Sequence, residues 1–336
     1  MKGIQLGPPG GGLQRLQWTD LPNAGDPAAD EIRVRLHASS LNYHDYHVCK
    51  SEDSRRTGLI PMADGAGIVE AVGTSVTEFS RGDHVVSTFF PLWPEGPPPF
   101  GDFATVPGDG VDGYAREYVV RPASWFTHAP KGWSHTESAT LTTAGLTAWR
   151  ALVSDAKLKA GDVVLALGTG GVSIFALQFA KAMGATVIVT SSSEAKLERA
   201  RALGADHGIN YKQTTEWGAA VRAWTGGRGV DHVIELGGPG TLPQSIAATR
   251  VGGHISLIGT LTGFAGAVPT AMMMIRQIRL QGIIVGHRRQ QQEMVRALDA
   301  TGLKPVIDRT FPLSALADAF RYEESGAHLG KICVEF

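Results

Sequence analysis

The stretch Val163-Val164-Leu165-Ala166-Leu167-Gly168-Thr169-Gly170-Gly171-Val172-Ser173 decides the fold. Five consecutive apolar residues without polar alternation read as a strand buried on both faces, and glycines follow where the strand must turn into a helix. A second apolar run, 186–190, begins at the spacing of a βαβ unit. In that setting the glycine turn reads as a dinucleotide site: the bare backbone approaches a pyrophosphate, whose charge is favoured at a helix N-terminus. Gly168, Thr169, Gly170, Gly171 and Val172 are the expected contacts, and Ser173 stands where a third glycine is usual.

The second strand ends in Thr190-Ser191-Ser192-Ser193. Sites that prefer NAD carry an Asp or Glu about 20 residues past the first glycine, to hold the ribose 2′-hydroxyl. Glu194 comes later and reads as the partner of Ser191 in a capping box. With no carboxylate to repel it, a 2′-phosphate is expected to meet serine hydroxyls and Lys196, which favours NADPH.

Outward from this centre, strand-like runs at 230–236 and 254–258 alternate with helical segments, the rhythm of a parallel sheet with crossover helices. Before residue 125 the pattern differs. Ile32, Val34, Leu36 and Ala38 alternate with polar neighbours, and further short β-like runs at 66–72, 84–88 and 114–120 suggest a small all-β unit. Proline-rich 91–99 reads as a surface loop. A helix near 293–301 and a last strand, 331–336, close the chain. The expected division is 1–124 and 290–336 for the β-rich part and 125–289 for the α/β part.

Thirty-one basic and 32 acidic side chains give a formal charge of −1, so no global field recruits nucleic acid or an anionic membrane. The basic run His287-Arg288-Arg289 reads as a solvated helix start, and Met272-Met273-Met274-Ile275 as pliable core or a subunit contact. Two uncharged stretches, 163–180 and 255–275, approach the length of a membrane span, but glycines and Pro269 interrupt them, so buried strand–turn–helix segments explain them better. The two cysteines, Cys49 and Cys333, build no disulfide framework and no four-thiolate zinc lobe. A reducing, cytoplasmic setting is expected.

The ordered motifs Ser40-Leu41-Asn42-Tyr43-His44-Asp45, Asp64-Gly65-Ala66-Gly67-Ile68-Val69, Gly82-Asp83-His84-Val85-Val86, Ala144-Gly145-Leu146-Thr147-Ala148-Trp149, Leu203-Gly204-Ala205-Asp206 and Gly330-Lys331-Ile332 span nearly the whole chain. With the glycine turn they resemble the medium-chain dehydrogenase/reductase superfamily, in its zinc-independent quinone oxidoreductase-like and alcohol dehydrogenase-like branch. The resemblance implies a GroES-like β-rich catalytic domain, formed from both chain ends, with a Rossmann domain and an active site in the cleft between. It also implies a homodimer.

Zinc-dependent members hold their catalytic metal with Cys, His and a second Cys or Asp; position by position, Asn42, Ala63 and Thr143 stand there in this chain, and Asp64 falls on a neighbouring acidic position. No thiolate or imidazole remains, so no metal site is expected. A rival set, His44, His47 and Cys49, lacks an evident fourth ligand. The resemblance further implies that Thr143, Thr147 and the Gly237-Gly238 turn approach the nicotinamide, that Ser191, Ser192, Lys196 and Tyr211 surround the adenosine phosphate, and that Gly286 and Lys331 lie along the cofactor. Asn42 and Tyr46 are expected to donate to the substrate oxygen, Asp64 to orient neighbouring polar groups, and His47 to offer a proton relay.

These expectations describe an NADPH-dependent reductase acting on a quinone or an α,β-unsaturated carbonyl. A zinc-free alcohol dehydrogenase or ketone reductase is the alternative, and a non-catalytic NADPH-binding structural or interaction protein a third.

Overall fold

The computed structural model describes residues 1–99 and 101–336. The first part of the chain forms strands β1 (Lys2–Leu6), β2 (Leu16–Asp20) and β3 (Glu31–Ser40), helix α1 (Tyr43–Lys50), strands β4 (Ala66–Val72), β5 (His84–Ser87), β6 (Tyr118–Pro122) and β7 (Phe126–His128), and helix α2 (His135–Ala139). A wide-wound turn at Leu141–Gly145 leads into α3 (Leu146–Trp149). Alternation follows: β8 (Val163–Leu167), α4 (Gly171–Ala182), β9 (Thr186–Ser191), α5 (Glu194–Ala202), β10 (His207–Asn210), α6 (Trp217–Trp224), β11 (Val230–Glu235), α7 (Leu242–Ala248), β12 (Thr249–Leu257), α8 (Thr270–Ile275) and β13 (Arg279–Gly282). The chain ends in α9 (Arg288–Thr301), β14 (Ile307–Pro312), α10 (Leu316–Glu324) and β15 (Lys331–Glu335).

These elements fall into two compact units, Met1–Leu146 with Gly286–Phe336, and Thr147–Val285. The borders lie beyond the expected 124/125 and before the expected 289/290. Physically, β7 pairs with β5 and Phe126 is fully buried in the β-rich core, while α2 packs on β3, β4 and β5, so residues 125–146 belong to the first unit. Likewise α9 packs on β7, which carries its first turn into the same unit.

In the second unit six strands run parallel in the order β10-β9-β8-β11-β12-β13. Counted within the unit this is 3-2-1-4-5-6, the doubly wound arrangement whose chain direction reverses beside its first strand. That strand is β8, with Val164, Leu165 and Ala166 wholly buried, so its C-terminal end opens at the topological switch point.

The first unit is built on a seven-stranded sheet ordered β14-β15-β3-β4-β5-β7, with β6 also pairing β3. Ile32, Val34, Leu36 and Ala38 of β3 are fully or nearly fully buried on one face. Antiparallel pairing of β15 with β3 sets Cys333 opposite Ser40 and Val334 opposite Ser39, and Leu41 donates to the carbonyl of Ile332 at 2.9 Å. This register brings Lys331, from the end of the chain, beside Asn42 from its beginning. The region expected as a strand at 114–120 pairs instead at Tyr118–Pro122, because Tyr114 and Ala115 are taken up by backbone bonds to Met62 and Pro61. Among the described residues no helix is long and apolar enough to cross a membrane.

Candidate active site

Asn42 ends β3's extended run and caps α1, and Asp45, three residues on, reaches back to the Asn42 N–H at 3.2 Å. Capping thus turns both side chains inward. The Asn42 Nδ2 group donates to Asp45 Oδ2 at 3.0 Å, to Asp64 Oδ2 at 2.9 Å and, more weakly, to the carbonyl of Ser40 at 3.3 Å. Its Oδ1 accepts from Lys331 Nζ at 2.6 Å, and the same ammonium donates to the carbonyl of Leu41. Lys331 stands 4.0 Å from Asp64 Oδ2.

Asp64 is wholly buried and is the acceptor on which this group converges. Ser40 Oγ donates to it at 2.5 Å and Thr143 Oγ1, carried by the wide-wound turn before α3, at 2.6 Å. Asp45 accepts a further bond from the Ala63 N–H at 2.9 Å. Burial pushes both carboxyls above the usual range; the nearby Asp64 charge adds to the effect on Asp45, whereas Lys331 and the donor hydroxyls oppose it at Asp64. Ser40, Asn42, Asp45, Asp64 and Lys331 are buried, and Thr143 is the half-buried member.

The structure therefore joins Asn42, Asp64, Thr143 and Lys331, and adds Ser40 and Asp45. Two expectations change. The Asn42 amide hydrogens are occupied by the two carboxylates, so Asn42 organises the cluster rather than presenting a donor. Tyr46 is not among the group: its hydroxyl donates to Glu324 on α10 at 2.6 Å and accepts from Lys50 at 2.7 Å, and its ring packs near Phe320. On α1 the one-residue step from Asp45 to Tyr46 rotates the side chain by about 100°, toward α10. His47 is exposed on the same helix, edge-on to Tyr43 at 4.6 Å, and partial desolvation of its ring lowers its pKa. Lys331, expected along a cofactor, is buried in this cluster.

The residues present do not fit a catalytic zinc. Zinc takes thiolate and imidazole with carboxylate as a lesser partner, whereas here amide, hydroxyl and carboxylate are bonded to one another and to an ammonium. Nor do His44, His47 and Cys49 converge: His44 Nε2 lies 3.3 Å from Asp109, Cys49 is wholly buried with its thiol pushed up, and no set of three metal-ligating side chains occurs among the described residues.

In the second unit, Gly168 adopts φ +76°, its N–H reaches Thr190 Oγ1 at 3.3 Å, and Gly170 caps α4. A side chain at Gly168 or Gly170 would project into open space, so both leave a bare backbone cradle at the first turn of α4. Thr169 is buried, and Gly171 and Val172 begin the helix. Ser173 in the third-glycine position turns inward and donates to the carbonyl of Leu167 at 2.6 Å, which locks the strand end to the helix.

At the end of β9 the cap of α5 is Ser193, which accepts from the Lys196 N–H at 3.4 Å, and not Ser191 as the capping-box reading had it. Pairing with β10 extends β9 through Ser191, so the chain leaves the sheet later than the sequence suggests. Glu194 turns to β10, where Asn210 Nδ2 donates to it at 2.7 Å. Ser191 is buried, Ser192 and Lys196 are half-buried, and the exposed Tyr211 donates its N–H to the Ser191 carbonyl at 3.1 Å. This edge carries hydroxyls and a lysine.

Sequence reading missed Glu235, wholly buried at the end of β11. Its carboxylate accepts from the N–H groups of Gly237 at 2.8 Å and Gly238 at 3.0 Å, from Thr241 Oγ1 at 2.5 Å, and from Ser245 Oγ. The Gly237-Gly238 amides thus hold their own turn together. An acid ending the buried strand Val230–Glu235, just before two glycines, was the available signal. Thr147 is buried in α3, and at Gly286 a side chain would strike Gln290 and Leu146.

Comparison with known proteins matches residues 28–131 to the alcohol dehydrogenase GroES-like domain and residues 171–300 to the zinc-binding dehydrogenase family. A zinc-type alcohol dehydrogenase-like protein of Schizosaccharomyces pombe is 44% identical over 316 residues, 91% of this chain and 90% of the relative. A chloroplastic quinone oxidoreductase of Triphysaria versicolor is 30% identical over 100% of this chain and 98% of its own. A solved NAD-dependent alcohol dehydrogenase superposes with a TM-score of 0.90 at 34% identity, each chain covered fully.

Proposed function

This chain belongs to the medium-chain dehydrogenase/reductase superfamily of oxidoreductases, and we propose that within it the protein is a zinc-independent, NADPH-dependent reductase of α,β-unsaturated carbonyls or quinones. The observation that supports this reading is the Lys331–Asn42–Asp64–Thr143 network, which includes Asn42 and Thr143, the two of its members that the resemblance sets at zinc-ligand positions of the family. Without a metal to gather charge on one oxygen, a substrate that spreads the developing charge over a conjugated system is the better match. A saturated ketone localises it, so the zinc-free alcohol dehydrogenase or ketone reductase is the second reading.

The dinucleotide, when bound, supplies the hydride. Gly168 to Val172 would hold its pyrophosphate, and Ser191, Ser192, Lys196 and Tyr211 its adenosine phosphate; the Glu194 carboxylate is engaged by Asn210, which supports NADPH. Thr147 and Gly286 would line the cofactor. The Asn42 cluster supplies buried polarity and a fixed ammonium charge. A cytoplasmic location, which rests on the sparse cysteine usage, and homodimer assembly, which rests on the resemblance, complete the proposal.

The test is steady-state oxidation of NADPH and of NADH against matched enone, quinone, saturated ketone and aldehyde. The proposal expects the highest kcat/KM for NADPH with the enone or quinone. Preference for the saturated ketone selects the second reading, and cofactor binding without turnover on any member selects a non-catalytic role.

A further inference from the structure

Asp45, Asp64 and Lys331 bring two carboxyl groups and one ammonium into a single hydrogen-bonded network, and all three side chains are nearly or wholly removed from solvent. Two carboxylates against one ammonium would leave an uncompensated negative charge among buried side chains, which is strongly unfavourable; retaining one proton on the acid pair removes it. Every acceptor bond to Asp64 comes from a buried group except one. Thr143 Oγ1, at 2.6 Å from Asp64 Oδ1, belongs to the half-buried residue of the set. A 2.6 Å contact between two oxygens serves equally with the carboxylic acid as donor and the hydroxyl as acceptor.

We infer that Asp64 and Thr143 form the proton-delivery path of the reductase, with Thr143 as the residue that hands the proton to the reduced substrate. This rests on the reading of the chain as an enone or quinone reductase. After hydride addition from the reduced nicotinamide, the enolate or hydroquinone anion takes the Thr143 hydroxyl proton. The Asp64 O–H bond breaks as its proton passes to Thr143 Oγ1, so the substrate gains one hydride and one proton and Asp64 is left as a carboxylate. Lys331, held by Asn42 and the Leu41 carbonyl, stabilises that carboxylate, and solvent restores the proton between turnovers. Thr143 is the catalytic residue, and Asp64 is a positioning residue acting through it.

The titratable and charged groups beside Asp64 are Asp45 from α1 and Lys331 and Cys333 from β15; His44 acts on Asp45, and Glu323 from α10, whose carboxyl burial pushes up to about 8, acts on Asp45 and Lys331. None of these lies on the turn carrying Thr143. Protonated Asp64 is the active form, so kcat falls as pH rises through its raised pKa.

The experiment compares wild type, Thr143→Val, Thr143→Ser and Asp64→Asn on an enone in D2O. Readouts are kcat, the stereochemistry of deuterium at the α-carbon, and the infrared carbonyl band of a neutral carboxylic acid in the cofactor-free protein. Thr143→Val is expected to lose about a hundredfold in kcat and to give mixed α-deuteration, because the proton then arrives from solvent. Thr143→Ser restores both, and Asp64→Asn removes one component of the carboxylic band, leaving that of Glu323, and abolishes the alkaline fall in kcat. Retention of wild-type kcat and stereospecific deuteration by Thr143→Val, with chemistry rate-limiting, overturns the inference. If wild type reduces no enone or quinone, the functional reading itself fails; then a component of the neutral carboxylic band lost in Asp64→Asn still supports the stored proton, and its absence from wild type overturns it.

Discussion

At the scale of single residues, side-chain direction separates those that share a motif. Asn42 and Tyr46 lie four apart on one helical turn, yet the first joins the buried cluster and the second ties α1 to Glu324 and Lys50. Tyr46→Phe is therefore expected to cost about 1 kcal/mol or less in stability, since Glu324 is half-exposed and screened, and to leave kcat/KM within about twofold. A loss of a hundredfold in kcat would return Tyr46 to the chemistry. Lys196→Ala should weaken NADPH by about tenfold or more and scarcely affect NADH, as loss of a charge-assisted bond to phosphate requires; titration of both cofactors by fluorescence checks this. Glu235→Ala leaves three buried donors unmet, the Gly237 and Gly238 N–H groups and the Ser245 hydroxyl, and should destabilise by about 3 kcal/mol or more, measured by denaturant unfolding.

At the scale of elements, α2 is seated on the β-rich sheet by a column of three imidazoles: His135 stacks on His37 of β3 at 4.5 Å and on His84 of β5 at 4.8 Å. Burial, and then the two neighbouring rings, push His135 down to about 4, and His37 is lowered as well. A histidine whose folded pKa lies below its ordinary 6.5 binds its proton more readily when unfolded. Its contribution is thus complete above about pH 6.5 and is lost as pH falls from there toward 4. Thermal midpoints should decline across that window in wild type and less steeply in His135→Phe; parallel curves would show that the column does not govern this sensitivity. The column was not legible in the sequence, because its members are 47 and 51 residues apart and only strand register stacks them. The glycine turn was legible, because strand, turn and helix are contiguous there. The cap of α5 was misread by two residues because pairing with β10, a tertiary event, decides where β9 stops.

At the scale of the whole molecule, the alternating pattern after residue 160 gave a parallel sheet, and the order β10-β9-β8-β11-β12-β13 places the glycine turn at the switch point. Domain borders were less legible, since residues 125–146 look helical yet are held by β7 pairing and by α2 on the sheet. The buried cluster was half legible: motif position pointed to Asn42 and Asp64, while Lys331 enters only through the β15–β3 register that joins the two ends of the chain. The central claim is that this cluster replaces a metal. It is tested most directly by NADPH-dependent enone turnover after exhaustive chelation, with metal content measured on the same sample. The account predicts unchanged turnover in protein carrying far less than one zinc per chain; loss of turnover together with release of one zinc per chain, and recovery on adding zinc back, would contradict it.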